Sequence, residues 1–292
     1  MWPNCSSRWD KTLPANLYAL GAIALWVSLA ALGVLLKHIP PFLLTGVALL
    51  IGSLLAVPAV LKDRRQWSIP ATTLGLGVYG LFGYHFLLFM ALRHAPPVEA
   101  NLVNYLWPLL MVVLAPLFLA GVKLRVLHVA AALLGFGGAA IAILGADQGA
   151  AGSGGWSWGF APALASAFVW ASYSLLTQRV KAFPTTAIGL FGLVSGLLSL
   201  LCHWALEAPA ELSSRDWLLL ALMGLGPLGA AFFLWDKALK LGDARQIGIL
   251  SYLTPLGSTA LLMAVSERPL TWSIALAAAL IIGAAVLGTR TR

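Results

Sequence analysis

The sequence predicts an all-α integral membrane protein of ten transmembrane helices in two inverted five-helix repeats. Three observations carry that reading. The 292 residues are 60% hydrophobic and only 10% charged, against about 25% charged in soluble proteins. The apolar residues fall into ten runs, most of them close to the 20 or so residues needed to cross about 30 Å of hydrocarbon. Residues 91–109 also reappear, without a gap, 147 positions later with six identities in 19 positions.

The ten runs are 14–36, 40–61, 70–92, 97–120, 126–145, 157–178, 184–206, 217–235, 246–266 and 270–288. Short breaks carrying Pro, Gly or charge separate them. The first run is too long for a signal-peptide core and has no small-x-small cleavage site after it, so it is expected to remain as a span. The Gly- and Ala-rich stretch 147–156 reads as a flexible linker between a first repeat, 1–146, and a second, 157–292.

The positive charges test the count. With the N-terminus in the cytoplasm, 14 of the 18 Lys and Arg residues fall on the cytoplasmic side, leaving Lys37, Arg93, Arg215 and Arg268 outside. Adding or losing a span midway would scramble this positive-inside split. Both termini are therefore expected in the cytoplasm. The net charge of +8 follows from this placement, so no nucleic-acid partner is implied. Cys5 and Cys202 make no metal or disulfide pattern.

Five spans per repeat is an odd number, so the second repeat must enter from the opposite side. At a shift of 144, Trp26 meets Trp170, Ser28 meets Ser172 and Pro40 meets Pro184. Antiparallel copies generate a pseudo-two-fold axis in the membrane plane, where carriers place their site.

The strongest repeat match is centred on Val103-Asn-Tyr-Leu-Trp-Pro108 and Ser251-Tyr-Leu-Thr-Pro255. Pro108 and Pro255 cannot donate to the carbonyls four residues back, so the carbonyls of Asn104 and Ser251 are expected to be free. Free backbone groups at this depth must line a cavity or lie inside protein, and both prolines are expected to act as hinges. Asn101, Asn104 and Tyr105 share a face with Pro108, as Ser251 and Tyr252 do with Pro255. On the sixth run, Trp170 and Tyr173 lie on a similar polar-aromatic face; Trp26 is its counterpart on the first. The third run offers Tyr79, Tyr84 and His85, the only ionisable side chain deep in a span. These eleven polar and aromatic residues are the candidate substrate contacts. Interhelical hydrogen bonding is the competing reading for each one singly.

Glu99, Asp236 and Lys237 fall near span ends and read as gate or topology residues. With no Asp, Glu, Lys or Arg at the centre of any span, no nucleophile–base pair and no metal-ligand set, neither an enzyme nor a cofactor or metal is expected.

The paired motifs, with Ala167-Phe-Val-Trp-Ala-Ser-Tyr173, resemble the drug/metabolite transporter superfamily, in its branch with two EamA-type repeats that exports aromatic amino acids. The resemblance covers nearly the whole chain. It implies a secondary transporter in the bacterial inner membrane that exports amino acids, including aromatic ones, by alternating access through a central cavity. It implies amino acids and membrane lipids as partners and a monomeric state. A broad drug or metabolite exporter of the same fold stays open as the alternative, and an intramembrane enzyme more remotely.

Overall fold

Runs of Leu, Ala, Val and Ile leave the backbone in lipid with no partner but itself, so each run closes its own hydrogen bonds as a helix. The structure, a computed structural model, describes residues 6–146, 157–266 and 272–290. The linker 147–156 lies outside the described residues, as does Arg268.

The helical units are α1 (Ser6–Leu35), α2 (Pro41–Lys62) and α3 (Ala71–His94). Helix α4 is in two pieces, Pro97–Asn104 and Trp107–Phe118. Next come α5 (Val126–Ala146), α6 (Phe160–Leu176) and α7 (Ala187–Leu206). Helix α8 runs Ser214–Leu241, α9 is split into Ala244–Leu250 and Leu253–Ser266, and α10 covers Trp272–Arg290. Among the described residues, seven helices are long and apolar enough to cross a membrane, and Phe160–Leu176 and Trp272–Gly288 are shorter apolar helices. Helix α8 starts at a Ser213/Asp216 capping box and runs six residues past the predicted end at 235.

The packing has the symmetry of the repeat. Helix α1 lies on α8 while α3 lies on α6, and α2 pairs with α7, α4 with α9, α5 with α10. Exchanging the halves swaps α1–α8 with α3–α6 and maps each of the other three pairs onto itself, as two inverted repeats require. The α2–α7 crossing is close because small residues meet there: a Cβ on Gly196 would sit 3.0 Å from the Gly46 carbonyl oxygen.

Helices α4 and α9 break where the sequence places the paired prolines. In α4 the Leu106 N–H reaches back only to the Val103 carbonyl, at 3.1 Å. In α9 the Tyr252 N–H reaches Ile249 at 3.2 Å, and the Thr254 N–H reaches the Ser251 carbonyl at 2.9 Å. The expectation of a free Ser251 carbonyl is therefore wrong: the chain tightens to an i→i+3 turn and uses it.

A second irregularity was not foreseen. Five-residue π turns interrupt α3 at Tyr79–Gly83 and α8 at Gly226–Ala230, again 147 positions apart. In α3 the π turn lies against α6 so closely that a Cβ on Gly80 would stand 2.3 Å from the Tyr173 ring.

Candidate functional site

Between the two repeats lies a cavity of about 510 Å³, within the usual range for a small-molecule site. Its walls come from α1, α3, α4, α5, α6, α8 and α9. Rings form one end. Trp26 and Trp170 meet edge to face at 6.1 Å, Trp170 packs on Phe232 at 5.6 Å, and Trp107 stands edge-on to Trp170 at 6.4 Å. Trp235, one turn beyond Phe232 and 1% exposed, closes the floor by contacting Trp26 and Trp107. From this floor the lining runs to Leu92 near the end of α3, Asn101 near the start of α4, and Ser258 and Thr259 on α9.

Of the predicted contacts, Trp26, Tyr84, His85, Asn101, Asn104, Tyr105 and Trp170 line this cavity, and so does Pro255. The polar ones are held by specific neighbours. Ser166 Oγ donates to Asn104 Oδ1 at 2.9 Å, and Asn104 Nδ2 donates to the Tyr84 hydroxyl at 3.2 Å. His85 Nδ1 lies 2.6 Å from the Leu81 carbonyl oxygen, and the Trp26 indole N–H donates to the Pro227 carbonyl at 3.1 Å.

The other predicted residues are not among the lining groups. The Tyr79 hydroxyl pairs with Ser172 Oγ at 2.8 Å. Tyr173 stacks beside Trp170 at 5.4 Å and against Gly80. Tyr252 is fully buried, its ring against Gly135 on α5. Ser251 Oγ donates to the Gly248 carbonyl of its own helix, and Pro108 is buried in α4. The tyrosine pair is thus unequal: Tyr105 faces the cavity while Tyr252 is packed away.

Sequence reasoning missed Trp107, Phe232 and Leu228. Phe232 was within reach, because it is the residue that the 147-position shift pairs with His85. Asp236 also departs from its reading as an end residue able to reach water. It is 3% exposed; Oδ2 takes Lys240 Nζ at 2.6 Å and the Thr185 hydroxyl at 2.6 Å. It is not among the lining groups of the cavity. At the other end of the molecule Glu207 accepts from Arg93 at 2.6 Å and from the Phe42 and Leu43 amides at the start of α2. Among the described residues, no three His, Cys, Asp or Glu side chains group as metal ligands.

The sequence matches the EamA-like transporter family twice, over residues 13–144 and 157–290. The chain belongs to the EamA-like transporter family. Among its relatives in that family, a protein of Ancylobacter novellus named aromatic amino acid exporter YddG is 40% identical over 290 residues. The match covers 94% of this chain and 96% of that protein. A protein of the same name from Escherichia coli K12 is 28% identical, again over 94% and 96% of the two chains. A solved crystal structure, 37% identical, superposes with a TM-score of 0.85 over 94% of this chain and 97% of its own. This EamA-like chain is accordingly a multi-pass membrane transporter.

Proposed function

We propose that the protein exports amino acids, including aromatic ones, from the bacterial cytoplasm across the inner membrane by alternating access through the ring-lined cavity. The observation that carries this is the chemistry of the walls: tryptophan, tyrosine and phenylalanine rings beside neutral hydroxyls, amides and one imidazole. Rings suit a side chain that is part apolar and part hydrogen-bonding. A zwitterion is net neutral, so its two charged groups can be met by these dipoles. Among the described residues a lone cation has no lining carboxylate to pair with, and a charge at the centre of a span costs about 2.5–3.5 kcal/mol even on insertion scales. The names of the relatives support the same substrate class.

On this reading residues 1–146 and 157–292 are the two moving halves, joined by 147–156, and both termini are cytoplasmic. The cavity then faces outward, and the tryptophan floor with the Asp236–Lys240 pair closes the cytoplasmic side. Pro108 and Pro255 mark hinges where α4 and α9 are already broken. One copy suffices, since both repeats lie in one chain.

Counterflow in proteoliposomes tests the proposal, using the twenty amino acids and a cationic dye as external substrates. Exchange of phenylalanine, tryptophan and other neutral amino acids is expected. Exchange of the dye without amino acids would mean a broad drug exporter instead.

A further inference from the structure

A π turn adds a residue to the helix and leaves a carbonyl without its usual partner four residues on; such turns cluster at functional sites. Here a carbonyl in each π turn meets a ring that lines the cavity, that of Leu81 taking the Tyr84 amide as well. Pro227 O, in the α8 turn, takes the Trp26 N–H, and Leu81 O, in the α3 turn, faces His85 Nδ1 at 2.6 Å. A carbonyl oxygen can only accept, so the hydrogen of that second contact must sit on Nδ1. In a neutral imidazole the other nitrogen, Nε2, then keeps its lone pair. The surroundings favour the neutral ring. His85 is 6% exposed, its ring is flanked by those of Tyr84, Phe89 and Phe232, and among the described residues no carboxylate pairs with it.

We infer that His85 meets the substrate as a hydrogen-bond acceptor, its Nε2 taking an N–H from the substrate's ammonium group, and so selects for a free amine. This rests on the amino-acid reading above and assigns one end of the zwitterion. Nδ1 is turned back into α3, so Nε2 is the ring nitrogen left for the cavity that His85 lines. The position paired with it by the repeat, Phe232, offers no acceptor. The α3 wall therefore holds an imidazole acceptor that the repeat-related α8 wall lacks. The carboxylate is left to the lining donors on α4, Asn101 and Tyr105.

The test has one readout that does not depend on transport. Nitrogen NMR of the ¹⁵N-histidine-labelled protein, with His85 assigned by its loss in His85→Asn, should show Nδ1 carrying the proton. The Nε2 signal should move on adding phenylalanine and stay in place with 3-phenylpropionate, which lacks the amine. A proton on Nε2, or an Nε2 signal unmoved by phenylalanine that the same preparation exchanges, would overturn the assignment. In counterflow, phenylalanine should outcompete 3-phenylpropionate in the parent. His85→Leu should lower that preference roughly tenfold, the scale of one hydrogen bond to a charged group. His85→Gln, which can still present a carbonyl oxygen, should restore part of it. Unchanged discrimination in folded His85→Leu would also contradict the inference. If the parent exchanges no amino acid, the functional reading fails, while the NMR still decides the tautomer.

Discussion

The indole N–H of Trp26 in α1 donates to the Pro227 carbonyl in α8, 201 residues away in the chain, at 3.1 Å. This bond ties the first repeat to the π turn of the second and sets the angle of a ring in the cavity wall. Trp26→Phe keeps the aromatic surface but removes this buried hydrogen bond, a loss of about 0.5–1.5 kcal/mol. The purified variant should melt at lower temperature in detergent and exchange phenylalanine more slowly. Unaltered melting and flux would mean that the bond does not position the ring.

Trp170 touches Trp26, Tyr84, Phe232 and Tyr173, and so is the ring most shared among the cavity walls. Aromatic pairs contribute about 0.5–1.5 kcal/mol each beyond the area they bury. Trp170→Ala should weaken phenylalanine and tryptophan roughly tenfold in competition assays. Alanine and serine, which cannot reach the missing ring, should change much less. Equal effects on large and small substrates would point to general damage.

Gly80 has no space for a methyl group, with the Tyr173 ring 2.3 Å from where its Cβ would be. Gly80→Ala must push α3 from α6 or displace Tyr173, and overpacking of this kind costs about 1–3 kcal/mol. The variant should be less thermostable. Gly75, where nothing lies within 4 Å of an added Cβ, is the control, and Gly75→Ala should be tolerated.

Asp243 opens α9 by accepting from the Arg245 amide at 2.8 Å, and Arg245 also donates to the Lys123 carbonyl in the α4–α5 loop. Burial opposes the Asp243 carboxylate, yet the hydrogen bonds and charge of Arg245 outweigh it and hold the pKa below the usual value. A depressed pKa stabilises the fold above the unfolded-state value, and that contribution is lost as pH falls through the folded one. Asp243→Ala should therefore cost about 1 kcal/mol at neutral pH, the scale of an N-cap. The gap from the parent should narrow in acid when melting is followed against pH.

Much of the fold was legible because lipid leaves few choices. Run length, the Pro-centred repeat and the Lys/Arg split each constrain the helices, and the Tyr105/Tyr252 match marks where α4 and α9 break. The π turns were invisible, since Gly80-Leu-Phe-Gly83 and Gly226-Pro-Leu-Gly229 have the same apolar character as ordinary helix. The unequal fates of Tyr105 and Tyr252 were hidden for another reason. The repeat is symmetric in sequence, but the packing is not: Tyr105 lines the cavity while the Tyr252 ring lies against Gly135. Asp236 was misjudged because hydropathy fell at 235, although the helix continued and buried the acid against Lys240 and Thr185.

The central claim is that the ring-lined cavity holds the amino acid. Ser258 lies in its wall and its hydroxyl donates only to the Val27 carbonyl, at 3.2 Å, so Ser258→Cys is a small change there. With Cys5 and Cys202 replaced by serine, the rate at which a small thiol reagent modifies this cysteine can be followed with and without phenylalanine. The account predicts that phenylalanine slows labelling in proportion to its occupancy and that labelled protein loses counterflow. Labelling at an unchanged rate under saturating phenylalanine, with transport intact after modification, would place the substrate elsewhere.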